Sequence, residues 1–302
     1  MLKSSAEPVV AFCDLPPEST AIAGGKGASL SRMAAAGLPV PPGFVVAAGA
    51  FHDFLESGGA DAYIAQLTND LDVDDRHAVE RVAESIQDRI VSTPLPLHLA
   101  EAIRTAHERL QHGALVAVRS SAVSEDGLTA SFAGQQESYL NVAGIDAVLE
   151  RVRECWASFF SPRALFYRAQ KGVLSDTRMA VVVQEMVEAD RSGVMFTVDP
   201  IRNRRECMII EGAPGLGDAI VSGEITPDHY VVSREGGTAI DVFIADDARG
   251  RVLSDGELDD LRALGLQLEA FFGCPQDVEW CIRGTDILLL QSRAITTLGA
   301  HG

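Results

Sequence analysis

The chain has 302 residues, of which 47% are hydrophobic, and a formal net charge of −18. That length and apolar fraction exceed what one core usually holds, so two lobes are expected. The acidic balance argues against nucleic acid as a partner, because phosphate backbones are held by basic stripes. No stretch approaches the ~20 apolar residues of a membrane span, and the first thirty residues do not join a basic start to an apolar run, so no membrane association and a cytoplasmic location are expected.

In chain order, "TAIAGGKGASLSRMAAAG" reads as a Gly-rich loop opening a short helix, ended by Gly37 and the Pro-rich "LPVPPG". "FVVAA" is a strand. Residues 50–112 carry apolar positions at spacings of three and four with charges between them, a helical segment with solvated outer faces. "LVAVRSSA" is a buried strand ending in polar residues, followed by a Gly-containing loop and the strand "YLNV". Residues 145–171 read as helix, with Ser161 and Pro162 as an N-cap and first-turn pair. From about residue 178 the pattern turns to strands: "MAVVVQEMV", "GVMFTVDP", "ECMIIEGA", "HYVVSRE" and the hairpin "VEWCIRGTDILLLQSR". A helix-rich first part and a strand-rich second part make an α+β pair of lobes, divided as 1–185 and 186–302. The five cysteines, Cys13, Cys155, Cys207, Cys274 and Cys281, are scattered and form no C-x-x-C pair, so reduced, mostly packed thiols are expected.

The hairpin interrupts apolar runs with Glu279, Gln291 and Arg293. A loop of three or five residues centred on Thr285 sets Glu279 opposite Gln291 and Asp277 opposite Arg293 on one face, leaving Val278, Trp280, Ile282, Leu288, Leu290 and Ser292 on the other. A two-residue loop would separate Glu279 from Gln291. A carboxylate beside an amide oxygen can hold Mg²⁺, and a neighbouring arginine can clamp phosphate; a polar face turned to water is the other reading. In "AGGKGAS", Gly24, Gly25 and Gly27 surround Lys26 before a helix, which suits phosphate or an ordinary turn, and the spacing is not that of a P-loop. Arg119 emerges from an apolar strand and must be paired or liganded. Gly134 lies in "FAGQQES", whose small residues suit a flap.

Taken together, "GGKGASLSRM…GLPVPPGFVV", "VAVRSSAVSEDG…ASFAGQQESYLNV", "RALFYR", "VVVQEMVEADRSGVMFTVDP", "GLGDAIVSGEITPDHY" and "VEW…LLLQSRAIT" resemble, in order, the ATP-binding domain shared by phosphoenolpyruvate synthase, pyruvate phosphate dikinase and rifampicin phosphotransferase. The resemblance implies an ATP-grasp-type fold of two lobes with the nucleotide between them. It implies that Lys26 and Arg119 contact phosphate, that Gly134 and Ser138 lie over the terminal phosphates, and that Gln184, Glu185, Met186 and Val187 meet adenine. Glu279 and Gln291 match the metal pair, with Arg293 on the phosphates; Lys26, Arg119 and Arg293 are the expected catalytic residues. Ala294 stands where the family has proline.

The implied function is a dikinase-type phosphotransfer module with ATP and Mg²⁺ as cofactors. It would pass a phosphoryl group to a histidine on a separate domain or subunit, ATP going to AMP and phosphate. Thr105-Ala106-His107 has the bare Thr-x-His spacing, but His107 falls in a helical segment and reads as structural, as does His229. A stand-alone subunit and the excised first domain of a dikinase or antibiotic phosphotransferase are both compatible. A non-catalytic nucleotide sensor is the reading from another class; a ligase would need an acceptor pocket that the sequence does not reveal.

Overall fold

The computed structural model describes residues 7–296 apart from 70, 124–136, 171–177, 218–219, 221–222, 237–238 and 247. It is a mixed helix and sheet protein of two compact units: Met1–Ala36 with Pro42–Met186, and Gly37–Pro41 with Val187–Gly302.

The first unit contains β1 (Val9–Ala11), α1 (Thr20–Ala35), β2 (Gly43–Val46), α2 (Ala48–Ser57), α3 (Ala60–Thr68), α4 (Arg76–Ser92), α5 (Leu97–Glu108), β3 (Val116–Ala122), β4 (Ser138–Val142), α6 (Ile145–Ser158), α7 (Pro162–Gln170) and β5 (Met179–Glu185). Its sheet is antiparallel in the order β1-β2-β5-β3-β4. Alternation along the strands sends Phe44, Val46, Val116, Val118, Val181 and Val183 into one core with α2 to α7. In α4 the buried residues Val79, Ala83, Ile86 and Ile90 recur at four, three and four, which is the apolar stripe that fixes the helix on the sheet. Phe51 stacks on Trp156 at 5.1 Å in the middle of this core. The other face of the sheet carries α1, where Gly27 lies close enough to Val45 and Val182 that an added Cβ would sit 3.1 and 3.5 Å from their methyl groups. β5 is therefore covered on both sides, which is why "MAVVV" is an unbroken apolar run.

The second unit holds β6 (Arg191–Phe196), β7 (Cys207–Pro214), β8 (Asp228–Ser233), β9 (Ala239–Phe243), α8 (Asp255–Phe272), β10 (Gln276–Arg283) and β11 (Asp286–Ala294). The six strands are antiparallel in the order β11-β10-β6-β7-β8-β9. The long helix α8 is absent from the sequence reading of this region. A capping box starts it, with Ser254 and Glu257 bonding each other's backbone N–H, and Gly273 in the left-handed conformation ends it. It packs on the face that carries Met195, Val278 and Trp280, with Gly265 against Met195. An Arg191–Glu257 ion pair and the Glu269 carboxylate, which accepts from Thr197 and Arg234, fix its two ends.

Of the cysteines, Cys155, Cys207 and Cys281 are buried, Cys274 is half-buried and Cys13 exposed, all as thiols. No helix among the described residues is long and apolar enough to cross a membrane.

Candidate functional site

The hairpin of β10 and β11 sets Asp277 opposite Arg293, Val278 opposite Ser292 and Glu279 opposite Gln291; beyond these, Trp280 faces Leu289 and Arg283 faces Asp286. The turn is thus the two residues Gly284 and Thr285, with Gly284 at φ 61°, and not the loop of three or five expected from sequence. A one-residue bulge at Leu290 repairs the register: the extra residue shifts the strand by one, so Glu279 meets Gln291 after all. Two apolar positions move as a consequence. Leu288 faces Cys281 on the Glu279 side, and Leu290 is the bulged residue, so neither joins the helix-covered face as the alternation suggested; Leu289 does.

On the face of Glu279, Arg293 donates from Nε to Oδ2 of Asp277 at 2.8 Å. Burial raises the Asp277 carboxyl above its ordinary pKa, against the pull of Arg293, and the neighbouring Glu279 charge adds to the rise. Gln291 is buried and Glu279 half-buried. Two hard oxygen donors side by side fit Mg²⁺, which takes one or two protein ligands and completes its shell with water and phosphate. Among the described residues no group of three or more His, Cys, Asp or Glu could hold a metal. The same row continues across the sheet from Glu279 to Val194, Glu211 and His229. Nδ1 of His229 lies 3.0 Å from Oε1 of Glu211. Sequence reasoning left His229 as structural and passed over Glu211, because only the strand order places them in line with Glu279.

In the first unit, Arg119 on β3 pairs with Ser138 on β4 and Val182 on β5, so these three share the face that α1 covers. Gln184, two residues beyond Val182, is on that face as well and is buried. The Gly-rich segment lies within α1, not ahead of it: the helix begins at Thr20 and breaks at Gly24, which has φ 66°. Ser121 fixes this break. Its hydroxyl donates to the Ala23 carbonyl at 2.8 Å and accepts from the Gly27 N–H at 3.2 Å. An added Cβ on Gly24 would meet the Ser121 carbonyl oxygen at 2.3 Å. Half-buried Lys26 stands on this turn, held to the strand that carries Arg119.

Glu185 alternates away from Gln184, and its Oε1 accepts the Gln111 N–H at 2.5 Å. The N–H groups of Glu185 and Met186 donate to the carbonyls of Pro42 and Leu115. Val187 is buried and falls in the second unit. Gly134 lies outside the described residues.

A family model described as pyruvate phosphate dikinase, AMP/ATP-binding domain, matches residues 20–252 and 238–301. Among curated proteins, a probable phosphoenolpyruvate synthase of Methanothermobacter thermautotrophicus is 42% identical, over 96% of this chain and 46% of its own length. One of Archaeoglobus fulgidus is 43% identical, over 96% of this chain and 42% of its own. A rifampicin phosphotransferase of a Streptomyces species is 39% identical, over 96% of this chain and 36% of its own. The chain thus spans less than half the length of these relatives.

Proposed function

The chain belongs to the family of pyruvate phosphate dikinase AMP/ATP-binding domains, and from that premise we propose that it binds Mg-ATP and passes a phosphoryl group to a histidine on another domain or subunit. The proposed frame is an ATP-grasp-type fold of two lobes. The observation that carries the reading is the Glu279–Gln291 pair, two oxygen donors brought together on a sheet face by a bulge. Arg119, Ser138, Gln184 and the Lys26 turn, gathered on one face of the other sheet, support it independently.

In this reading Glu279 and Gln291 hold Mg²⁺, which when bound neutralises the polyphosphate. Lys26 and Arg119 bind the phosphates from the first unit. Arg293, aligned by Asp277, presents two parallel N–H donors to the group in transfer. Gln184 and its neighbours Glu185 and Met186 orient the base. Catalysis is then positioning together with charge stabilisation, and the accepting histidine comes from outside the chain.

The test is to incubate the chain with Mg-ATP, with and without the histidine-bearing domain of a related phosphoenolpyruvate synthase, and to identify the products. AMP formed only with that domain supports the reading. ADP formed with a carboxylate acceptor, or no product with either, contradicts it.

A further inference from the structure

The turn between β6 and β7 gathers Arg202, Arg204 and Arg205 in a chain whose net charge is −18. Asp199 closes this turn. Its Oδ1 accepts the N–H groups of Ile201 and Arg202 at 3.1 and 2.9 Å, and its Oδ2 accepts from Nε and Nη2 of Arg204 at 3.0 and 2.8 Å. The backbones of Asp199 and Arg204 also bond each other. Arg205 follows this closed turn; its side chain is exposed and has no ion pair or hydrogen bond among the described residues. It lines a cavity of about 550 Å³, within the range of about 300–1,000 Å³ usual for small-molecule sites. Val198, Leu266, Ala270 and Pro275 give the cavity apolar walls, and Arg205, Arg234 and Glu269 are its charged residues. All of them belong to the second unit, and none takes part in the proposed Mg-ATP site. The charge of Glu269 is spent within the wall: its two oxygens accept from Nη1 and Nη2 of Arg234 at 2.9 Å each, and one also accepts from Oγ1 of Thr197 at 2.7 Å. Burial would raise this carboxyl, but Arg234 and Thr197, with Arg205 at longer range, outweigh it and hold the group below its ordinary value. Glu269 is therefore ionised at neutral pH, and Arg205 is the charge of the lining left without a counter-charge. The carbonyl end of α8, at Gly273, works against an anion here, but a helix end amounts to about half a charge and a guanidinium to a whole one.

We propose that this cavity binds a small organic monoanion, a carboxylate whose hydrocarbon body lies on Val198, Leu266, Ala270 and Pro275 and whose charge meets Arg205. The lining selects this class by exclusion. A cation would face two guanidiniums with one carboxylate already engaged by Arg234. Inorganic phosphate would leave the apolar walls without a partner. A polyanion such as a nucleotide triphosphate would bring several charges to one available guanidinium, against the acidic balance of the chain. A single carboxylate matches the planar fork of an arginine with two parallel N–H donors. The site binds and makes or breaks no bond.

The experiment titrates naphthoate, and naphthalenemethanol as its neutral counterpart, into the full chain by calorimetry, for the parent, Arg205→Gln and Ala270→Phe. Arg205 and Ala270 are both exposed, so both variants should fold, which thermal melts check. Ala270→Phe fills the cavity and keeps its charges. Naphthoate should bind the parent at one site and about tenfold more weakly in Arg205→Gln, the loss expected for one hydrogen-bonded charge. The alcohol should bind the parent more weakly than naphthoate and be indifferent to Arg205→Gln, and Ala270→Phe should weaken both. Cys274 also lines the cavity and reports the location: with Cys13, the exposed thiol, changed to Ser, naphthoate should slow alkylation of Cys274 by iodoacetamide. Saturating Mg-ATP should leave naphthoate affinity unchanged. No binding by the parent, parental affinity in both variants, or displacement by Mg-ATP overturns the proposal; if Ala270→Phe does not fold, Arg205→Gln decides. A chain that shows the expected pattern and binds no ATP contradicts the proposed function and leaves this site standing.

Discussion

Glu279 on β10 stands directly opposite Gln291 on β11 because the extra residue Leu290 offsets a two-residue turn. Without that bulge the same turn would set Glu279 against Leu290 and send Gln291 to the helix-covered face. Replacing Glu279 by Gln or Gln291 by Leu should therefore leave the fold intact and lower Mg-dependent phosphotransfer by about 100-fold or more, the order expected when a transition-state electrostatic contact is removed. Product analysis beside a thermal melt separates the two effects.

Arg293 is 67% exposed on its side chain, and its pairing with Asp277 orients it more than it stabilises the sheet. Arg293→Lys keeps the charge and gives up the planar fork. Transfer rate should fall at least tenfold with little change in melting temperature; a parental rate would remove Arg293 from the phosphate site.

Gly24 and Gly37 both have positive φ, at 66° and 73°, but only Gly24 has no room for a Cβ, because the Ser121 carbonyl would lie 2.3 Å away. Alanine at Gly24 should cost well over about 1 kcal/mol and disturb the Lys26 turn, whereas alanine at Gly37 should cost about 1 kcal/mol and leave ATP affinity alone. Denaturant midpoints and ATP titrations of the two variants check this.

The second unit should be acid-sensitive. Burial alone would raise Asp228, but the N–H groups of Ala245 and Val252, the Tyr230 hydroxyl and Arg249 outweigh it and hold the carboxyl below its ordinary value. Asp199, Glu257 and Glu269 are depressed likewise, burial again being overcome by backbone N–H donors, hydroxyls and arginines. A carboxyl with a lower pKa folded than unfolded stabilises above the unfolded value, about 4, and that stability is lost as pH falls through the folded value. Denaturation profiles from pH 7 to 3 should decline below about pH 4. Asp228→Asn should flatten part of that decline while costing about 1–3 kcal/mol at pH 7, since a buried amide cannot accept from all of the N–H, hydroxyl and guanidinium donors that converge on this carboxylate.

The sheets were legible because "FVVAA" and "LVAVRSSA" are apolar runs of strand length buried on both faces, the hairpin interrupts its apolar runs with polar residues, and α4 carries its stripe openly. The helix α8 was legible in principle: Ser254 and Glu257 at capping-box spacing and Gly273 at its end bracket it, and they went unread beside the surrounding strands. The bulge at Leu290 leaves no mark in "DILLLQSR", since one leucine among three looks the same whichever is extra. β1, of three residues, is too short to carry a period. The alignment of Glu211 and His229 with Glu279 depends on β6 lying between β10 and β7, a strand order that no local pattern encodes.

The most direct test of the account uses Mn²⁺, another cation suited to oxygen ligands, as a paramagnetic stand-in for Mg²⁺. Electron paramagnetic resonance of Mn²⁺ with ATP is measured on the parent chain and on Glu279→Ala with Gln291→Ala. The account predicts a ternary protein–Mn²⁺–ATP signal in the parent and its loss in the double variant with the fold retained. An unchanged signal in the double variant would contradict it.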